Sequence, residues 1–239
     1  MRYRLILLIP VLVMAGAGCK KNSDDEKEPT CRISRITDVL TGLSHTVTYN
    51  TDGNYQAVKR EDGKHTISFD YAGNTIISQI FDANNKLTRK ATMVLNSKGM
   101  VWFQMGELFD ASGNITNNWS YTYEYNGEQL IESTYNIIGT IPGITSYTWS
   151  GGDNTEVTDN IGRTTYYEYY PDKADQQGNY WNLRMLYLGI DQRLITRTKS
   201  LFKGFTGYDQ FTYEFDSKGY ITSMSEDGQL RYTLQYACN

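Results

Sequence analysis

One short pattern, written again and again, constrains this chain more than anything else in it. Copies stand at "TVTYNTDGNY" (46–55), "TISFDYAGNT" (66–75), "TMVLNSKGMV" (92–101), "YTYEYNGEQL" (121–130), "YTWSGGDNTE" (147–156) and "FTYEFDSKGYI" (211–221). Each alternates polar with apolar residues, reaches an aromatic or Leu, meets Asn or Asp and then Gly, and alternates afresh. Intermediate copies fall at "IFDANNKL" (80–87), where Asn85 replaces the glycine, and "LFDASGNI" (108–115).

The pairs Val47/Tyr49, Ile67/Phe69, Met93/Leu95, Tyr123/Tyr125, Tyr147/Trp149, Tyr167/Tyr169 and Tyr213/Phe215 are apolar and two residues apart. Their alternates are mostly Thr, Ser or Glu. A period of two places the first set on one face of a strand and the second on the other. The Asn or Asp that follows hydrogen-bonds backbone ahead of it, and the Gly supplies a positive φ. That is hairpin chemistry, most simply a type I turn followed by a left-handed residue; Asn85 fits, because Asn tolerates that conformation.

From Phe69 through Phe81, Leu95 and Phe109 to Tyr125 the turn markers recur every 12 to 16 residues. The spacing predicts an all-β chain, a long antiparallel up-and-down meander. Beyond the N-terminus no segment keeps a helical period. With 20 Tyr, 8 Phe and 4 Trp largely on one face, the sheet is expected to curl around them into a barrel-like or rolled sheet, since a twisted sheet of more than about ten strands curls, splits or closes. A two-sheet sandwich is the alternative. The pattern Y/F-x-Y/F-D/N-x-x-G-x-L/I resembles the YD repeats of Rhs-type proteins.

The N-terminus carries a different message. Arg2 and Arg4 precede an apolar run, Leu5 to Gly18, shorter than the roughly 20 residues of a transmembrane helix. Residues 1–18 read as a secretory signal, and the small residues before Cys19 resemble a bacterial lipobox, which implies cleavage before Cys19 and acyl chains on its thiol. An ordinary secretory signal with an incidental cysteine is the alternative. Ser23, Asp24, Asp25 and Glu26 resemble the export signal of Bacteroidetes surface lipoproteins, implying an outer-membrane protein facing the cell exterior, with the periplasmic face as the alternative. Residues 19–30 read as a disordered acidic tether, and 31–239 as a single all-β domain. With the repeat added, the chain resembles an uncharacterised family of Bacteroidetes lipoproteins described as having a porin-like, rolled antiparallel sheet; the resemblance covers about 31–238 and lapses between Pro171 and Gly207.

Loss of the signal leaves 21 basic against 27 acidic residues. Without a basic cluster, nucleic acid and anionic lipid are unattractive partners, so membrane attachment falls to the lipid on Cys19. Cys31 and Cys238 remain, at the two ends of the folded region; in an oxidising compartment they are expected to form a disulfide, two free thiols being the alternative.

Catalytic signals are sparse. His45 and His65 have no second ligand at metal spacing, so no metal site is expected. No nucleophile elbow, phosphate loop or dinucleotide motif occurs, and no cofactor is expected. Glu124, Glu168 and Glu214 hold equivalent places in "TYEY", "YYEY" and "TYEF"; on neighbouring strands they would form a ladder, the material of a carboxylate-dependent glycoside hydrolase, though the alternation turns them toward water. Three irregular segments interrupt the meander. "NIIGTIPGITS" (136–146) either plugs the roll or offers an apolar patch with Ile137, Ile138, Ile141 and Ile144. "PDKADQQGNYWN" (171–182) sets Tyr180 and Trp181 among amides, and "KSLFKGFTGYD" (199–209) sets Phe205 and Tyr208 beside glycines. These four rings are the candidate ligand contacts. The expected function is that of a non-enzymatic surface protein binding a glycan or an envelope protein; a transmembrane β-barrel and the hydrolase are the alternatives.

Overall fold

The computed structural model describes residues 31–137 and 139–238. The signal, Cys19 and the export pattern at Ser23 to Glu26 lie outside the described residues, as does Ile138. Sixteen strands follow in order: β1 (Cys31–Asp38), β2 (Leu43–Tyr49), β3 (Tyr55–Arg60), β4 (His65–Ala72), β5 (Thr75–Asp82), β6 (Leu87–Leu95), β7 (Val101–Phe109) and β8 (Ile115–Asn126). The second half comprises β9 (Gln129–Ile137), β10 (Gly143–Ser150), β11 (Asp153–Asp159), β12 (Thr164–Ala174), β13 (Ser200–Phe205), β14 (Phe211–Phe215), β15 (Ile221–Glu226) and β16 (Gln229–Cys238).

The repeat is a turn with a fixed set of bonds. At Asn50, Asp82, Asn96, Asp110, Asp159 and Asp216 the side-chain oxygen accepts the N–H groups two and four residues ahead. The carbonyl of the same residue accepts from the third residue ahead, which holds a positive φ: Gly53, Asn85, Gly99, Gly113, Gly162 and Gly219. One Asx side chain thus takes over backbone groups that a strand end would leave unpaired. Other copies turn more tightly. Ala72 pairs directly with Thr75, Asn126 with Gln129 and Ser150 with Asp153, so Asp70 stays within its strand.

Every strand pairs antiparallel with its chain neighbour from β1 to β13 and again from β14 to β16, and β16 returns to pair with β1. Cys31 lies directly opposite Cys238 in that last pairing, and their sulfurs are bonded. The two edges, β13 and β14, meet at one isolated bridge, Gly204 with Gln210. The sheet is therefore a nearly closed barrel with a single weak seam, not a sandwich.

Most rings and branched chains face inward. Ile33, Ile36, Val58, Ile67, Met93 and Ile221 are all but inaccessible, and Tyr123, Tyr125, Tyr213 and Phe215 pack against them. The inner tyrosines spend their hydroxyls on backbone carbonyls: Tyr49 donates to Ile33 and Tyr213 to Phe202. That solves the burial of a ring with a polar tip.

A roll of sixteen strands encloses more space than side chains fill; barrels of that size leave an aqueous channel. Here the chain itself fills much of it. Between β12 and β13, residues 175–199 run through the interior as a short helix, α1 (Tyr180–Leu186), and a 3-10 turn at Gln192–Leu194. Asn179 caps α1 by accepting the Asn182 N–H. Leu183, Leu186, Ile190 and Ile195 are buried among the strand residues. Two glycines let the segment lie close to the wall, both at positive φ: a Cβ on Gly178 would stand 2.5 Å from Leu234 Cδ1 on β16, and one on Gly189 2.7 Å from Ser78 Oγ on β5. This helix departs from the all-strand expectation. Seven residues are two turns, too few for a helical period to show. The plug is also not the 136–146 segment, which is a hairpin connection carrying Ile141 and Ile144 into solvent. The third irregular segment likewise contains a strand, β13.

Candidate functional site

Beside the plug the lumen keeps a cavity of about 290 Å³. Inward positions of β6 to β12 form one wall, and residues 175–198 of the internal segment form the other. Ring faces come from Trp119, Tyr121, Tyr123, Tyr147, Tyr167 and Trp181. Polar groups come from Arg89, Gln104, Ser133, Asn154, Asp175 and Asn182. Leu188, also lining it, is partly exposed.

Most of these polar groups hold one another. Tyr123 Oη donates to Gln104 Oε1 at 3.0 Å, and Ser133 Oγ and Tyr147 Oη share a hydrogen at 3.0 Å. Asn179 Nδ2 donates to Asp175, whose carboxyl is pushed up to about 6 by burial, with the bonds from Asn179 and the Gln176 N–H pulling the other way. Tyr121 stacks on Tyr135 at 4.6 Å. Gly106 makes room for Trp119: a Cβ there would lie 2.2 Å from the indole Cζ2.

Two atoms are left over. Arg89 rests its guanidinium 4.8 Å over the Trp119 ring, yet its Nε is buried without a hydrogen-bond partner. Burial lowers its pKa, opposed only by the Tyr121 hydroxyl. Asn154 is 2% exposed, and its Oδ1 accepts nothing. Unsatisfied buried polar atoms are rare in folded proteins. Both of these line the same cavity.

The four rings singled out in the sequence do not form one site. Tyr180 stacks on Phe211 with centroids 4.0 Å apart, and Trp181, Phe202 and Phe205 complete a packed aromatic cluster. Trp181 alone of the four also lines the large cavity. Tyr180 instead borders a smaller pocket with Arg184, Glu226 and Arg231. Tyr208 stands on the β13–β14 turn, 77% exposed, away from the rest. Tyr180 and Trp181 open a helix rather than a loop, and that geometry turns them into the core.

Nor do the three glutamates line up. Glu124, Glu168 and Glu214 sit on β8, β12 and β14, which are not adjacent. Glu168 pairs with Lys203 at 2.9 Å, and Glu214 accepts from Ser223 Oγ. His65 is half-buried with its ring edge-on to His45, centroids 6.2 Å apart.

Arg89, Gln104 and Asn154 were missed, though a signal for them existed. Arg89 falls in phase with Ala91 and Met93, and its register partner Leu108 confirms the inward phase. A charge or amide at an inward position of an alternating strand is the anomaly that marks them.

No family model matches this chain, and no curated protein matches it. Solved structures do. A porin-like protein from Bacteroides uniformis ATCC 8492 superposes with a TM-score of 0.59 at 15% identity, over 87% of this chain and 98% of that one. A porin-like protein from Bacteroides vulgatus ATCC 8482 gives 0.54 at 16%, over 86% and 98%. The shared feature is the fold, a barrel-shaped antiparallel sheet.

Proposed function

We propose that this protein is a lipid-anchored, non-enzymatic binding protein of the bacterial outer membrane, with a porin-like shape and an interior site for a glycan. The cavity carries the reading: flat ring faces alternate with amide and hydroxyl groups, the materials for stacking on a sugar and bonding its hydroxyls. At about 290 Å³ it lies at the small end of ligand pockets. Held by acyl chains on Cys19 through the 19–30 tether, the roll stands clear of the bilayer on the cell exterior.

The outward face supports a water-standing roll. Outward ladder positions are largely polar: Thr122 faces Thr134 and Ser146 faces Thr158, while Thr46 and Thr66 flank Lys59, Ser120 faces Asn136, and Thr148 faces Glu156. Apolar outward residues gather on β5 to β7, where Ile77, Val94, Phe103 and Met105 share a face. Further round, Ile131 on β9, Ile144 on β10 and Tyr166 on β12 are exposed singly among polar neighbours, whereas a membrane barrel needs an unbroken apolar band about 25 Å tall. The membrane-spanning reading is favoured by the shape shared with the porin-like structures, and single-channel conductance in a planar bilayer distinguishes it.

The binding test is titration of the full-length protein against a panel of neutral and acidic oligosaccharides, followed by tryptophan emission and calorimetry. Binding that is lost in Trp119→Ala supports the interior site. No binding across the panel overturns it. Acyl labelling that disappears in Cys19→Ala tests the anchor.

A further inference from the structure

The two unsatisfied atoms of the cavity ask for different chemistry, and together they narrow the ligand. Asn154 Oδ1 is an acceptor, so it needs a donor such as a hydroxyl. Arg89 is a cation. Among the described residues no carboxylate lies within ion-pair distance of it; its neighbours are the Trp119 face and the neutral Tyr121 hydroxyl. Arg89 is half-buried, with its Nε shut off from water; a cation so placed without an anion carries a cost, and its planar fork matches a carboxylate in two parallel hydrogen bonds. Asp175, the carboxyl that shares the cavity, is committed to Asn179.

Resting on the glycan reading above, we propose that the cavity selects an acidic sugar, with Arg89 clamping the carboxylate of a uronic-acid unit and Asn154 accepting a hydroxyl further along the same ligand. A simple fatty acid brings the anion but no hydroxyl for Asn154. A neutral sugar brings the hydroxyl and leaves Arg89 uncompensated. An acidic sugar satisfies both, in a cavity lined by Trp119, Tyr121 and Trp181. Arg89 is on β6 and Asn154 on β11, five strand spacings apart, an arc of about 24 Å at about 4.8 Å per strand. Curvature and the length of the two side chains shorten that arc, and in the proposed complex the remaining span is taken by more than one ring. A disaccharide is accordingly the smallest ligand of the proposal.

The test is calorimetric titration of the full-length protein with matched disaccharide pairs in the gluco, galacto and manno series, each pair differing only in oxidation of C6 to a carboxylate. One acidic member is expected to bind about tenfold tighter than its neutral partner, the worth of a charge-assisted contact. Arg89→Gln brings the two within about twofold, and Arg89→Lys keeps part of the preference. Asn154→Leu weakens acidic and neutral members alike. Equal binding of both members by the wild-type protein overturns the acidic-sugar assignment and leaves the glycan site standing. Absence of binding by every pair overturns both. Because the wild-type comparison decides between these, the result does not depend on how well the Arg89 variants fold.

Discussion

The phenol of Tyr125 on β8 lies 3.2 Å from the carbonyl oxygen of Ile195, 70 residues further along the chain, and 2.7 Å from that of Val101. One hydroxyl hydrogen thus serves both the barrel wall and the segment inside it. Tyr125→Phe leaves the ring in place and removes the donor. It is expected to cost about 1 kcal/mol, lowering Tm by about 2–4 °C, as read by thermal denaturation. No change would mean that the internal segment is held without this tie.

Asp175 gives the fold a pH dependence of definite sign. Its carboxyl titrates at about 6 in the folded protein because of burial, and near 3.9 when unfolded. Below both values it is neutral in either state and costs nothing. As pH rises from about 4 to above 6 the unfolded chain releases the proton first, so stability falls, by about 3 kcal/mol at most. Asp175→Asn can still accept from Asn179 and removes the titration. Urea midpoints of the two proteins should diverge across that window, the variant gaining; parallel profiles would contradict the burial of this carboxyl.

The Cys31–Cys238 bond joins strands whose cysteines are 207 residues apart. Tethering so long a loop stabilises by about 5 kcal/mol in the chain-entropy limit. Replacing both cysteines by Ser should lower the denaturant midpoint to match wild-type protein under reductant. If reductant leaves the wild-type midpoint where it was, the bridge contributes nothing.

Gly106 is the test of the cavity wall. Gly106→Ala forces the Trp119 indole to move, at a cost of about 1–3 kcal/mol for overpacking. The displaced ring enters the cavity, so tryptophan emission should shift and ligand affinity fall. An unchanged spectrum would place Trp119 elsewhere.

The barrel was legible because its instructions are local. Asp110, Gly113 and their equivalents write each turn within five residues, and alternation such as Tyr123, Glu124, Tyr125 assigns faces without any knowledge of neighbours. Closure was harder to read, since it depends on β16 finding β1 across the whole chain. What lay beyond reach was the interior. α1 is too short to declare itself, and Tyr180 and Trp181 carry the same letters whether displayed on a loop or packed beneath Phe211. Arg89 and Asn154 stand 65 positions apart, and only the curvature of the sheet brings them to one cavity. The equivalence of Glu124, Glu168 and Glu214 in the repeat was real, but strand order kept them apart.

The most direct measurement uses a charged, membrane-impermeant maleimide on variants with one free thiol, made by adding one cysteine to a Cys19→Ser background that keeps the Cys31–Cys238 disulfide, with the protein mixed with lipid vesicles. Thr148 is exposed on the outward face of β10, whereas Ser133 is 5% exposed and faces the lumen. With a water-facing exterior and a filled interior, Thr148→Cys reacts at the rate of a free thiol and Ser133→Cys reacts far more slowly. Fast labelling of Ser133→Cys with protection of Thr148→Cys by the vesicles would instead reveal an aqueous lumen and a lipid-facing wall, contradicting the inward placement of the rings' packed core and the site built upon it.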